Sequence, residues 1–498
     1  MSVAGAETTE TSRERPSGRD GLMVLAAAAF LLVAYGTSVR LGPALADEFV
    51  YLSGARHFAR TGSLDARYYD ANAILARGHP HQDVHAPGYV LILGAFDRVA
   101  GTTNTAAIAL NVIAFAAAAW LAYALAGALG LEPARRRLAA LLALLLPGAL
   151  PYVYWAMAET VLTALVLLAI VVAAHPREDR PWMGMAAGLV LGLAFVVRES
   201  ALFALPAVLV LLGPRARRTA LAAFVAVLLL VYAPLSRDRA PGGANFWIPT
   251  GGRAFGFEAV QAAGGGRVGA ALALIGRRAA MNAAELAGPS TTWTERGILA
   301  VYLALPLLAL AGWRAHSPRS RRYLIALLAG FVAIVALLFG VYVVAQWSGY
   351  RYVMFLMPGF LPLVLPPGRR GWITAGGVAV PAVLLLLGVR TIFNDYKSSR
   401  QRRQLAIADY VDRHLPAAPE RIILPNGWLY GWRHYPTEVI SSLADGGALR
   451  RLERKVPFDY VVVPAGTPLE QDTQSRLRYQ RVDPADPEAP LAIYRRLK

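Results

Sequence analysis

Two adjacent carboxylates, Asp47 and Glu48, stand just after the first long apolar run of the sequence. Carboxylates at a membrane boundary are costly if they face lipid, so the pair faces water, protein or a ligand. A carboxylate beside a hydroxyl can take its proton as a general base, and a like-charged neighbour raises one of the two pKa values. The plainer reading is a solvated span end. His79, His81 and His85 follow, with Asp83 among them. Imidazole is a common ligand for divalent metals, but the spacing matches no standard zinc motif and Pro80 restricts the backbone. The same histidines could contact substrate or line the surface. Arg351, between Tyr350 and Tyr352, and Arg198, between Val197 and Glu199, carry the opposite sign. A guanidinium near a membrane surface can hold a phosphate through paired N–H donors. It can also snorkel or pair structurally, Arg198 with Glu199 or Glu159. Gly264 to Gly266 do not form a P-loop, because no Gly-Lys-Ser/Thr follows them.

The composition sets the solvent of these residues. The 498 residues are 56% hydrophobic and only 16% charged, and the mean hydropathy is +0.43. A soluble chain of this length needs more charge to cover its surface, so the class is membrane protein. The net charge of +18 lies in short basic clusters between long apolar runs. The positive-inside rule explains such clusters, and nucleic-acid binding is not required. There are no cysteines, which excludes disulfides and thiol chemistry. Arginine vastly outnumbers lysine, which occurs only at Lys397, Lys455 and Lys498. This bias makes any single arginine weak evidence for phosphate.

Residues 1–20 are polar, carry Arg13, Arg15 and Arg19, and read as a disordered cytoplasmic tail. Gly21 to Val39 is long enough to cross the hydrocarbon, and no small-residue cleavage site stands out after it. Further apolar runs recur through Trp372 to Val389. Arg135 to Arg137, Arg177 with Arg180, Arg215 with Arg217 and Arg218, Arg314 with Arg319, Arg321 and Arg322, and Arg369 with Arg370 mark alternate loops. Set on the cytoplasmic side with the N-terminus, they alternate through about eleven spans within residues 21–391. The outer side then receives loops 40–103 and 236–297 and everything from residue 392. The second loop is rich in glycine and aromatics, among them Phe246, Trp247, Phe255 and Phe257. It reads as an amphipathic cover or a plain structural loop. Residues 392–498 change character: Gln401 to Leu415 has helical apolar spacing, and Arg421 to Leu424, Tyr460 to Val463 and Leu491 to Tyr494 are short strand-like runs. They predict a small outer α/β domain. No internal repeat is evident, so repeat-built transporter folds gain no support.

The order of motifs resembles the polyprenyl-phosphate-sugar-dependent glycosyltransferases of the GT-C fold, in the dolichyl-phosphate-mannose mannosyltransferase-like branch. The matching residues are Asp47-Glu48 after the first span, His85-Ala86-Pro87-Gly88-Tyr89 closing the loop, and Ala158-Glu159 opening a span. Val197-Arg198-Glu199 before Leu205-Pro206, and Tyr350-Arg351-Tyr352 before Leu356-Met357-Pro358, complete the series. Ala86 departs from the family's double proline. The resemblance implies an inverting transferase in which Asp47 is the base and Glu48 orients the acceptor or tunes Asp47. Arg351, Arg198, Tyr350 and Tyr352 would hold the donor phosphate, and His85, Tyr89 and Glu159 would bind substrate.

The resemblance further implies an undecaprenyl- or similar polyprenyl-phosphate sugar as donor and a glycan, lipid or protein as acceptor. It puts the chain in a bacterial inner membrane, with the chemistry on the outer face. A divalent metal at His79, His81 and Asp83 is compatible with this chemistry but not required by it. A transporter or flippase of a lipid-linked or anionic substrate would instead place charges in mid-span, and a non-catalytic scaffold would not need Asp47.

Overall fold

The computed structural model describes residues 18–38, 46–62, 64, 68–70, 86–100, 103–175, 179–237, 268–288, 293–340, 351–365, 410, 413–415, 421–423, 438–441, 446–454, 458–474, 478–484 and 491–497. It is a multi-helix membrane bundle joined to a six-stranded mixed sheet. The apolar run predicted at Trp372 to Val389 lies outside the described residues.

The first helix, Gly18–Ser38, begins three residues inside the predicted tail. At about 1.5 Å per residue its 21 residues cover roughly 30 Å. Val24, Ala28 and Leu32, spaced by four, pack with Phe115, Ala119 and Tyr123 of the Thr103–Ala128 helix. Leu22 and Phe30 on the other side are 70% and 72% exposed. Large apolar side chains turned outward fit a lipid solvent, where their exposure costs nothing. Among the described residues, three helices are long and apolar enough to cross a membrane: Ala106–Ala128, Pro214–Leu235 and Pro318–Gly340. Shorter apolar helices cover Glu159–Ala173, Pro181–Val197, Glu199–Leu211 and Arg296–Ala311.

Small residues let neighbouring helices close together. A Cβ added at Gly184 or Gly188 of the Pro181–Val197 helix would lie 2.0 Å from the Ala216 carbonyl oxygen or 2.1 Å from that of Ala220. The Pro214–Val227 helix therefore touches the glycine stripe backbone to backbone, the usual small-residue contact of membrane helices. Loops predicted to share the cytoplasmic side also meet one another. Asp20 accepts the Tyr123 hydroxyl at 2.7 Å and pairs with Arg137 at 3.1 Å. Asp179 accepts the Arg215 amide at 3.2 Å, and Arg319 donates to the Ala174 carbonyl at 3.0 Å.

Within the second predicted outer loop, Val268–Ala287 is a 20-residue helix. Its Asn282 amide donates to the Phe339 carbonyl at 2.9 Å, satisfying the open end of the Pro318–Gly340 helix. The alanines and glycines around it hid this helix among loop-like residues.

The sheet runs β1 (Tyr68–Asp70), β3 (Glu438–Ser441), β2 (Arg421–Ile423), β4 (Tyr460–Pro464), β6 (Leu491–Arg496) and β5 (Tyr479–Arg481). The first four are parallel, and β6 is antiparallel to β4 and β5. Three of these strands were expected from β-branched runs bounded by turn residues. The edge strand β1 was not, because it comes from the first loop, over 350 residues away from its partner β3. The sheet is therefore shared between that loop and the C-terminal region. Period-two alternation buries both faces: Val461 and Val463 pack with Leu449 and Leu452, whereas Val462 belongs to the main core with Tyr410 and Leu415.

Candidate functional site

The site forms around a break in the bundle. The Pro133–Leu144 helix stops before Pro147 and Gly148, whose φ of +81° favours glycine. After the short Ala149–Val153 helix, the backbone stays irregular until Glu159 opens the next helix. Irregular backbone inside a membrane bundle needs partners for its exposed amides and carbonyls. Three neighbouring elements supply them. The Asn111 amide donates to the carbonyls of Tyr152 at 3.1 Å and Trp155 at 2.7 Å, with Met157 at 3.5 Å. The Tyr302 hydroxyl donates to Pro147 at 2.6 Å. Glu48 Oε2 accepts the Ala156 N–H at 3.0 Å.

That last contact ties the acidic pair to the break. Asp47 and Glu48 sit in the first turn of the Ala46–Thr61 helix, not in a loop ahead of it. Glu48 is almost wholly buried. The Asp47 side chain lies outside the described residues, as do His79, His81, Asp83, His85 and Tyr350. Among the described residues no group of three or more His, Asp or Glu could hold a metal ion.

Glu159 is buried at the start of its helix and ion-paired on both sides. Its Oε1 accepts Arg198 Nη1 in a close contact and lies 3.9 Å from Arg351 Nε. Arg198 follows the end of the Pro181–Val197 helix, and Arg351 opens the short Arg351–Met354 helix. Tyr352 lies between the two cations, its ring centroid 4.6 Å from the Arg198 guanidinium carbon and 4.8 Å from that of Arg351. Arg351 Nη2 also donates to the Tyr352 hydroxyl at 2.9 Å. Aromatic faces over guanidinium groups hold them in plane while leaving their edges for other partners. The other Glu159 oxygen, Oε2, is buried with no hydrogen-bond partner among the described residues. Two guanidiniums thus share one carboxylate oxygen.

Glu199, the other candidate partner of Arg198, is taken up elsewhere: its Oε1 accepts the Tyr232 hydroxyl at 2.7 Å. Tyr89 packs edge-on against Tyr51 with centroids 5.0 Å apart, and its hydroxyl donates to Asn111 Oδ1 at 3.4 Å. Glu48, Tyr51 and Glu159 all lie close enough to act on that hydroxyl electrostatically. Gly88 fixes this arrangement, since a Cβ there would lie 2.6 Å from the backbone of Val196 and Val197, directly before Arg198.

The structure therefore gathers Glu48, Tyr89, Glu159, Arg198, Arg351 and Tyr352 at one place. Sequence reasoning missed Asn111, Tyr51 and Tyr232. Asn111 had a legible signal, an amide inside a long apolar run. The two tyrosines had none.

No protein-family profile matches the chain, and no curated protein matches it in sequence. Solved structures do match in fold. ArnT from Cupriavidus metallidurans, bound to undecaprenyl phosphate, superposes with a TM-score of 0.61 at 14% identity, over 95% of this chain and 98% of that one. The oligosaccharyltransferase of Archaeoglobus fulgidus gives 0.55 at 12% identity, over 89% and 69%. The mycobacterial arabinofuranosyltransferase AftD gives 0.52 at 15% identity, over 95% and 41%. The chain has the GT-C fold.

Proposed function

We propose that this GT-C protein is a membrane glycosyltransferase that moves a sugar from a polyprenyl-phosphate donor to a glycan, lipid or protein acceptor of the cell envelope. The reading places the chemistry on the outer face of a bacterial inner membrane. The observation that carries it is the convergence of Arg198 and Arg351 on one Glu159 oxygen, a few residues along the chain from the segment that Glu48 holds. Two guanidiniums brought together at one point suit a phosphate head, and the surrounding bundle suits its lipid chain. The ArnT structure that shares the fold holds undecaprenyl phosphate, which agrees with such a donor.

In the proposed reaction the acceptor oxygen attacks the anomeric carbon from the side opposite the phosphate. The new C–O bond forms as the bond from the anomeric carbon to the phosphate oxygen breaks, inverting that centre. The electron pair leaves with the phosphate, next to Arg198 and Arg351, and the acceptor proton passes to Asp47. Glu48 is spoken for by the Ala156 amide and acts by fixing the helix that carries Asp47.

Purified protein in vesicles carrying a polyprenyl-phosphate sugar and candidate acceptors tests the reading. Transfer is expected in the wild type and falls by about 10²–10⁴-fold in Asp47→Asn, in line with the loss of a general base. Undiminished transfer by a folded Asp47→Asn rejects the base. Translocation of the donor without transfer rejects the enzyme in favour of a flippase.

A further inference from the structure

We propose that Tyr232 is a positioning residue for donor binding: through Glu199 it fixes the corner of the chain from which Arg198 reaches Glu159. This inference rests on the donor reading above.

The position of Tyr232 comes from a fault in its helix. The Pro214–Val227 helix buries Ala216, Ala220, Phe224 and Val227, at steps of four, four and three residues. Continued evenly, the next inward position falls on Leu230 or Val231. Instead Leu230 is 76% exposed, and the next buried residue is Tyr232, five after Val227. Pro234 supplies the cause, because it has no N–H for the Leu230 carbonyl four residues back and its ring crowds that oxygen. The turn before it widens, and the Ala233 N–H donates to Leu228, five residues back instead of four. Widened turns of this kind concentrate at functional sites.

The extra residue turns Tyr232 toward the Pro181–Val197 helix. Its ring packs on Phe195 with centroids 5.0 Å apart, and its hydroxyl donates to Glu199 Oε1 at 2.7 Å. Arg198, directly before Glu199, is an extended residue between two helical segments, with φ −162° and ψ 129°. Successive side chains leave an extended backbone on opposite sides. Arg198 goes to Glu159 and Glu199 to Tyr232, so holding one arm sets the direction of the other. Gly88 meets the backbone of Val196 and Val197 before this corner, and Gly330 meets the Phe203 carbonyl after it. The tyrosine bond ties the stretch between these two contacts. A phenylalanine would pack on Phe195 equally well, so the hydroxyl serves the tie. A guanidinium holds phosphate through paired donors in one plane, and its grip depends on the corner behind it.

The test titrates a short polyprenyl monophosphate onto full-length protein in detergent, with thermal unfolding followed in parallel. Tyr232→Phe keeps the ring, and its affinity is expected to fall about tenfold. Glu199→Gln keeps an oxygen acceptor for the hydroxyl and binds within about twofold of the wild type, whereas Glu199→Ala falls at least as far as Tyr232→Phe. Adding Tyr232→Phe to Glu199→Ala costs little more, because the hydroxyl has lost that acceptor. Added to Arg198→Lys it costs at most about twofold, because a point charge needs no fixed plane. Unchanged affinity in Tyr232→Phe, even with a lower unfolding temperature, overturns the inference and leaves Tyr232 a packing residue. So does a loss in the Arg198→Lys background as large as in the wild type, or a Glu199→Gln as weak as Glu199→Ala. Failure of the wild type to bind the lipid overturns the donor reading, and this inference with it.

Discussion

Two arginine–carboxylate clusters in this protein are built in opposite ways. In the C-terminal region Arg481 bridges Glu470 at 3.2 Å and Asp483 at 3.1 Å. Glu470 also accepts the Tyr494 hydroxyl at 3.1 Å and the Gly466 amide at 2.6 Å. Asp483 accepts the Tyr410 hydroxyl at 2.6 Å and the Ile493 amide at 2.8 Å. Every carboxylate oxygen there has a donor. In the bundle two arginines share one oxygen of Glu159 while the other has no donor among the described residues. A closed network fixes a shape, because each buried polar group is satisfied and any rearrangement breaks several bonds at once. The bundle cluster concentrates two cations on one oxygen, which in the proposed reading is where the donor phosphate binds. Both clusters are arginine with carboxylate, so residue type alone does not separate structure from function.

The sharpest way to break this contrast is to remove one arginine from each. Arg481→Leu leaves Glu470 and Asp483 short of their shared donor, and the side chain is one-fifth exposed. The expected cost is about 3 kcal/mol, the low end for a buried pair, read as a lower unfolding temperature with binding of polyprenyl phosphate unchanged. Arg351→Ala should do the reverse. Donor-lipid affinity falls by about 30–100-fold, the worth of a charge-assisted phosphate contact, with thermal unfolding little moved. Equal stability losses in the two variants would erase the distinction.

Asn111→Leu probes the backbone beneath the bundle cluster. Removing its amide takes a donor from the carbonyls of Tyr152 and Trp155, the latter keeping the Met157 amide at 2.7 Å, at an expected cost of about 1–3 kcal/mol. Because those carbonyls position the segment before Glu159, transfer should fall together with the unfolding temperature. Full activity at reduced stability would show that the break does not position the site.

The smallest effect concerns the closed network at high pH. Burial and the neighbouring Asp483 carboxylate push the Tyr410 hydroxyl up to about 12, and burial with Glu470 does the same to Tyr494. In the unfolded chain both ionise near 10. The folded state therefore holds their protons more tightly, and this contribution is complete below pH 10 and lost as pH rises through about 12. Intrinsic tyrosine absorbance during an alkaline titration should show a late-ionising pair, and in folded Arg481→Leu the pair should ionise later still, because the guanidinium opposes the rise. Its absence from the wild type would mean the network is looser than its distances imply.

Much of the architecture was legible because lipid and water impose strong patterns. Long apolar runs became helices, and the strands β2, β4 and β6 fell where β-branched runs met prolines and turns. The pairs Asp20–Arg137 and Asp179–Arg215 join loops that charge alternation had assigned to one side. The misses have physical causes. The Pro87–Ala100 and Val268–Ala287 helices lie in segments read as loops, since glycine and alanine blunt their apolar periodicity. Strand β1 is three residues long and gains its stability wholly from a distant partner.

By itself the sequence determined the solvent of this protein, because hydropathy and arginine placement are local properties that a bilayer reads directly. It also marked the acidic pair, Glu159 and the two arginines as groups worth their cost near a membrane. Only the tertiary structure decided which charges meet. Arg198 pairs with Glu159, 39 residues back, and not with its neighbour Glu199, which accepts the Tyr232 hydroxyl. Glu48 turned to the Ala156 amide because a broken helix presented an unpaired donor there. Such choices depend on how closely Gly88, Gly184 and Gly188 let backbones approach. That is a property of packed surfaces, and no local stretch of sequence contains it.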